Sequence, residues 1–457
     1  MPIQPKFAIS GYRGIWKDTL TDEIAKKYVR ALVRMLREDE GKQNPIILIG
    51  RDGRESGPEI KKSVIEELEN LGVNFVDGDL LPTPTVFFAV HKHKYDAGII
   101  ITASHNPIEY NGLKFVNDKA LYLDENQLAK INAYYEENSH PLAPKGTPPQ
   151  AEGEKNIPDF PKEHIDQIIA NVDAEIIRAQ KFKVAVDMIN ASACALDPYF
   201  FKQLGAELVP LNDIPNGKFA HKPEPLRENL ADIGNLVKSS GANLGFAHDP
   251  DADRLVIVNE FGETISEEYT LAFAVLAVLS KNREQTIVIN LSTSQMSADI
   301  AEKYGSKCIR TKVGEANVVE GIIKNNAIIG GEGNGGIIYP AINMARDSFT
   351  GIGLVLEFLA KTKQTVSQCI AKMPKYFMKK AKWPVKDGGL SDIYLKLKSH
   401  FKEAEIIEID GLRLDFPDSS WIHLRPSNTE PIIRLFGEAK TEKRIEELFK
   451  EAEDLLA

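Results

Sequence analysis

Hydrophobic and polar positions along this chain alternate between two periods. Residues 21–38 (TDEIAKKYVRALVRMLRE) space their apolar side chains for one helix face, and 45–50 form a continuous apolar run of strand length. A helix-like stretch at 57–71 and a strand-like one at 73–76 follow, then the apolar run 97–101. The pattern returns with strand-like 181–187, helix-like 194–205 and 229–240, and strand-like 243–247. A third round has helix-like 267–281 and strand-like 286–290 and 327–330. Apolar strands separated by amphipathic helices predict βαβ units and mixed, mostly parallel sheets, so the chain reads as three related α/β modules. The tail differs. A helix at 391–401, strand-like runs at 411–416, 421–424 and 432–436, and a helix at 442–456 predict a smaller C-terminal α+β domain with an antiparallel sheet.

Two breaks divide the pattern. Residues 137–162, rich in Pro, Gly and charge, read as a linker, and 365–390, with Met373-Pro374 and Asp387-Gly-Gly389, as a flexible tether. The expected domains are 1–150, 151–256, 257–370 and 371–457. In each α/β module a polar or glycine-rich segment follows an apolar strand, at 102–107, 248–254 and 331–336. Ligands of open α/β sheets bind beyond the carboxyl ends of strands, so the three loops are expected to serve a shared cleft.

Bulk properties narrow the function. A chain of 457 residues exceeds one ordinary core, and its 43% hydrophobic and 27% charged content is that of a globular protein. A net charge of -10 argues against nucleic-acid binding, which needs clustered Lys and Arg. It leaves room for small phosphate ligands, which need only a few cations and backbone N–H groups. Cys194, Cys308 and Cys369 lie far apart and read as buried thiols. With no signal-like start and no span-length apolar run, a soluble cytoplasmic protein without membrane contact is expected.

Four segments carry candidate chemistry. Thr102-Ala-Ser-His-Asn-Pro107 puts Ser104, a candidate nucleophile, at a strand end beside His105, with Lys114 ten residues on. No G-x-S-x-G elbow is present, which disfavours acyl transfer. His248-Asp-Pro-Asp-Ala-Asp-Arg254 spaces Asp249, Asp251 and Asp253 so that a wrapped loop brings them to one hard cation such as Mg²⁺. Gly331-Glu-Gly-Asn-Gly-Gly336 offers Glu332 and Asn334 to sugar hydroxyls on a loop whose glycines admit close approach. Arg425-Pro-Ser-Asn-Thr-Glu-Pro431 offers Arg425, Ser427, Asn428 and Thr429 to a phosphate. Two arginine segments are suggestive beside these: Arg13 between glycines, and Arg51-Asp-Gly-Arg54, which steers a phosphate or forms surface ion pairs.

The ordered set of four motifs, spread over essentially the whole length, resembles the α-D-phosphohexomutases. That family includes phosphoglucomutase, phosphomannomutase and phosphoglucosamine mutase. The resemblance implies four domains around a central cleft. It implies that Ser104 is a phosphoserine and that Asp249, Asp251 and Asp253, with a phosphoserine oxygen, hold one Mg²⁺. Arg13, His105 and Lys114 match the family's groups for charge stabilisation and proton transfer, Glu332 and Asn334 its sugar loop, and Arg254, Arg425, Ser427, Asn428 and Thr429 its substrate-binding residues. The implied reaction interconverts hexose or hexosamine 6-phosphate and 1-phosphate through a hexose 1,6-bisphosphate. The sugar loop, with Asn334 at a position where serine is common, is similar to that of archaeal-type phosphoglucosamine mutases. Asn428 leans toward the phosphomannomutase and phosphoglucomutase side. A serine-dependent phosphatase and an inactive sugar-phosphate-binding scaffold are the rival classes; the separate sugar and phosphate loops and the intact Ser104 and aspartates favour the mutase.

Overall fold

The computed structural model describes residues 7–137, 157–384, 389–426 and 432–456. The chain divides into two compact units, Met1–Glu267 with Gly336–Ser367, and Glu268–Gly335 with Gln368–Ala457.

The first unit contains two mixed sheets. In one, the strands run in the order Tyr12–Ile15, Tyr110–Asn117, Ala97–Ile101, Ile46–Arg51, Asn74–Leu80. The first two junctions are antiparallel and the last two parallel. Every residue of Ala97–Ile101 is buried. Ile99 and Ile101 join a core with Ile47, Ile49 and Leu113, while Ile100 joins another with Leu48 and Val116. A strand apolar on both faces needs cover on both. Helices Asp22–Glu38 and Gly57–Asn70 supply one side, and Thr83–His93 the other. Thr21 caps the first of these helices by accepting from the Ile24 N–H.

The other sheet runs Glu207–Leu211, Lys183–Asp187, Leu244–His248, Leu255–Val258, with only the last junction antiparallel. The serine loop and the aspartate loop therefore hold equivalent places. Each joins the carboxyl end of a wholly buried strand to its antiparallel neighbour. Helix Ser348–Thr362, apolar on almost every side and capped by Asp347, packs on helices Phe160–Ala170 and Ala174–Gln180 and on strand Leu255–Val258.

The second unit has the parallel strands Lys307–Thr311, Thr286–Asn290 and Ile329–Glu332. It also has a wholly antiparallel sheet in the order Phe377–Pro384, Ile432–Ala439, Trp421–Pro426, Leu412–Asp415, Glu405–Ile407. Helices Gly389–His400 and Glu442–Leu456 place Leu397, Leu448 and Phe449 in one core with Leu414, Ile422 and Leu435 of that sheet.

Several sequence expectations change. Residues 365–390 are not a simple tether: they include helix Val366–Ile370 and strand Phe377–Pro384, which pairs with Ile432–Ala439 along its full length. Its lysines hid it from a hydrophobic pattern. The expected helix 194–205 is a 3₁₀ turn, Ser192–Ala195, followed by helix Asp197–Gln203, with Pro198 in the first turn. The strand expected at 327–330 lies at Ile329–Glu332, so Glu332 ends a strand. Of the linker 137–162, residues 138–156 lie outside the described residues, and Phe160 opens a helix. No helix among the described residues is long and apolar enough to cross a membrane.

Candidate active site

In the first unit the serine and aspartate loops meet. Ser104 is 1% exposed, has φ +50°, and donates from Oγ to Asp249 Oδ2 at 3.0 Å. A non-glycine residue in the left-handed region is strained by about 1–2 kcal/mol, and such strain gathers at functional sites. Ala252, in the aspartate loop, has φ +55°. His105 Nδ1 lies 3.2 Å from Ser104 Oγ. The single hydroxyl proton is committed to Asp249, so this contact is satisfied by His105 Nδ1–H donating.

The three carboxylates are fully buried and divided in function. Asp249 Oδ1 accepts from the backbone N–H groups of Asp253 and Arg254 at 3.0 and 3.1 Å. Asp251 Oδ2 accepts from Lys114 Nζ and Thr83 Oγ1, both at 2.7 Å. Asp253 Oδ2 accepts from Arg346 Nη2 at 2.5 Å. Asp251 Oδ1 and Asp253 Oδ1 have no hydrogen-bond partner although buried. Burying such oxygens without a donor or cation is costly. One oxygen from each aspartate lies within 4.8 Å of the others, so the residues fit a hard divalent cation.

Electrostatics follow from this crowding. Burial and the neighbouring Asp253 and Asp251 push the Asp249 carboxyl well above the usual range. Burial also pushes Asp251 up, but the charge and hydrogen bond of Lys114, aided by the Thr83 hydroxyl, hold it well below. His105 is driven well below its ordinary value by burial and then by Arg254, Arg13 and Arg346, which keeps the imidazole neutral. Arg13, on strand Tyr12–Ile15, donates from Nη1 to Asn106 Oδ1 at 2.6 Å. Arg254 lies 3.6 Å from Glu224 and 3.8 Å from Asp253. Four cationic groups, Arg13, Lys114, Arg254 and Arg346, thus surround three carboxylates, an excess suited to phosphoryl groups.

The second unit holds the remaining candidates. Glu332 is buried and accepts at Oε1 from Asn290 Nδ2 at 2.9 Å and the Gly314 N–H at 3.0 Å. Asn334 is half-buried. A Cβ on Gly333 would fall 2.1 Å from the Glu268 carboxylate, which also accepts from the Ser294 N–H. Arg425 is next to last in strand Trp421–Pro426, 3.7 Å from Asp410 and in register with Arg434. Like charges opposed across a ladder are unfavourable, and an anion beside them relieves this. Ser427, Asn428 and Thr429 lie outside the described residues.

Sequence reasoning missed Thr83, Arg346 and Arg434. The first two reach the aspartates from 168 and 93 positions away, and no local motif marks them.

Models of four consecutive domains match the chain: phosphoglucomutase/phosphomannomutase α/β/α domain I over residues 4–141, domain II over 162–262, domain III over 266–376, and the C-terminal domain over 380–455. The chain belongs to the phosphoglucomutase/phosphomannomutase family. It is thus an α-D-phosphohexomutase by family, in the isomerase class. A phosphoglucomutase/phosphomannomutase of Thermococcus kodakarensis is 36% identical over 445 residues, covering 96% of each chain. A Pyrococcus horikoshii protein named "Probable phosphoglucosamine mutase" is 33% identical, with 98% of this chain and 97% of that one covered. Among solved structures, a phosphoglucomutase/phosphomannomutase family protein of Burkholderia thailandensis superposes with a TM-score of 0.84 at 28% identity, covering 99% of this chain and 97% of that one. The expected class, three α/β domains with mixed sheets and a smaller C-terminal domain, is that of this family.

Proposed function

We propose that the protein interconverts hexosamine 6-phosphate and 1-phosphate, with glucosamine phosphate as preferred substrate, through a phosphorylated Ser104 and a hexose 1,6-bisphosphate. The observation that carries this reading is the Ser104 Oγ–Asp249 contact beside two aspartates with unpartnered oxygens, all inside a ring of cations. A sugar hydroxyl attacks the phosphoserine phosphorus, the P–Oγ bond breaks, and the phosphoryl group passes to the sugar. His105, held neutral, is placed to take the hydroxyl proton, and Lys114, Arg13 and Arg254 offset charge on the transferred group. The bisphosphate then reorients and returns its other phosphoryl group to Ser104. Glu332 and Asn334 hold the sugar; Arg425, Ser427, Asn428 and Thr429 hold the phosphate that is not reacting. Asp249, Asp251 and Asp253 would hold Mg²⁺, which when bound neutralises charge on the phosphoryl oxygens.

Asn334 in the sugar loop supports the glucosamine reading, as does the name of the Pyrococcus horikoshii relative. Asn428 and the Thermococcus kodakarensis relative favour a second reading, phosphomannomutase/phosphoglucomutase. Comparing kcat/KM on glucosamine, mannose and glucose 6-phosphates decides between them. Release of free phosphate with no 1-phosphate product would overturn both.

A further inference from the structure

The arginine turn after strand Ile46–Arg51 does not steer phosphate. Arg51 pairs with Asp79 at 2.8 Å, while Arg54 is fully buried. Arg54 Nη2 donates to the carbonyls of Ser104 and Asn106 at 2.6 and 2.7 Å, and Nη1 to those of Pro107 and Tyr110 at 2.7 and 2.8 Å. Its Nε donates to Asp52 Oδ2 at 3.1 Å. All five guanidinium N–H groups are thereby engaged, leaving none for a ligand.

Asp52, also fully buried, organises more than this arginine. Its Oδ1 accepts from the Arg54 backbone N–H at 2.9 Å, and its Oδ2 accepts from Thr102 Oγ1 at 2.6 Å. Thr102 Oγ1 in turn accepts from the Ser104 N–H at 2.8 Å. The two backbone polar groups of Ser104 are therefore gripped by two side chains, and one carboxylate anchors both. Arg54 also stacks on Phe219, 5.0 Å from the ring centre, which fixes the guanidinium plane.

We propose that Asp52, Arg54 and Thr102 are positioning residues. They hold Ser104 in its left-handed conformation with Oγ facing Asp249, so they set the rate of phosphoryl transfer rather than sugar binding. This rests on Ser104 being the phosphoryl carrier. The grip acts on the peptide groups on either side of the nucleophile, where a small rotation displaces Oγ from its in-line position.

The test uses the full chain with T102V, T102S and R54K. The readouts are kcat, KM, thermal midpoint, and the rate at which a hexose 1,6-bisphosphate phosphorylates Ser104, followed by intact mass. T102V, nearly isosteric but without the hydroxyl, is expected to lower kcat and the labelling rate by about 10–100-fold while KM stays within about twofold. T102S keeps the hydroxyl and recovers most of that loss. R54K keeps the charge but cannot span four carbonyls, and lowers kcat at least as far; if it does not fold, the T102V and T102S pair decides. Wild-type kcat in T102V, equal impairment in T102S, or a change confined to KM overturns the proposal. A wild-type chain that never acquires phosphate on Ser104 instead overturns the phosphoserine reading itself.

Discussion

Ser104 Oγ donates to Asp249 Oδ2 at 3.0 Å across 145 positions of sequence. The candidate nucleophile and the candidate metal cage are therefore one site. Replacing Ser104 by alanine removes two side-chain hydrogen bonds, to Asp249 and from His105, and little packing, so the fold is expected to persist. Turnover is expected to fall by about 10⁴-fold or more, the scale seen when a nucleophile is removed. Isomerisation assays, with intact mass to show that S104A takes up no phosphate from a bisphosphate donor, check this. Activity near wild type in S104A refutes the nucleophile assignment.

Lys114 is 1% exposed and bonds Asp251 at 2.7 Å, with Asp253 at 3.9 Å. Deleting one partner of a buried ion pair leaves an uncompensated charge, which costs roughly 3–5 kcal/mol. K114M is expected to lower the thermal midpoint steeply in the absence of divalent cations and to be partly restabilised by Mg²⁺, because a bound cation takes over part of the compensation. Scanning calorimetry with EDTA and with Mg²⁺ reads both effects; no Mg²⁺ response sinks the metal assignment.

Asp251 Oδ1 and Asp253 Oδ1 are buried without hydrogen-bond partners. Chelation is expected to stop turnover and Mg²⁺ to restore it. D253N should weaken Mg²⁺ binding by at least about 10-fold, since it removes a candidate ligand and the charge that anchors Arg346. Titration calorimetry of Mg²⁺ into wild type and D253N measures the difference directly. Equal affinities would place the ion elsewhere.

The sequence disclosed contiguous chemistry far better than chemistry assembled by folding. Ser104 with His105, and the three aspartates within five residues, were readable because an apolar strand delivers each loop as a block. Lys114 was placeable because it lies on the strand that returns antiparallel from the serine loop, in register with Ile100. Arg346 and Thr83 were not, since each reaches its aspartate from a different helix start. Arg54 was legible as a feature, with phosphate steering or a surface ion pair as its expected role; an ion pair with Asp52 forms, but fully buried, and only the fold shows four carbonyls converging on the guanidinium. Strand Phe377–Pro384 escaped because its lysines mask the alternation that marks a strand.

Glu332 accepts at Oε1 from Asn290 Nδ2 at 2.9 Å and from the Gly314 N–H at 3.0 Å. That arrangement fixes the carboxylate, and under the proposed function Glu332 contacts sugar hydroxyls. Hydrogen bonds to a charged group contribute about 1.5–3 kcal/mol, so E332Q is expected to lower kcat/KM by about 10–100-fold. E332Q retains an acceptor for Asn290 and Gly314, so stability should change little. Steady-state kinetics on three hexose phosphates check the loss and show whether selectivity narrows with it.

His423 supplies a pH test in the second unit. It is buried on strand Trp421–Pro426, its Nε2 donates to the Asp410 carbonyl at 2.6 Å, and its Nδ1 lies 2.9 Å from Ser292 Oγ. Burial pushes its pKa down to about 4, from an ordinary 6.5, and the nearby Arg413 and Arg425 push the same way. The folded state therefore binds fewer protons than the unfolded state between these values. Its stability is complete above pH 6.5 and is lost as pH falls toward 4, by about 3 kcal/mol at the acid end. H423Q keeps a donor for Asp410 and an acceptor for Ser292 but does not titrate. The variant should flatten the stability curve of this unit between pH 6.5 and 4 while costing little at pH 8. Hydrogen exchange of the strands Trp421–Pro426 and Ile432–Ala439 as a function of pH isolates the unit, and an unchanged acid slope in H423Q would exclude His423 as its source.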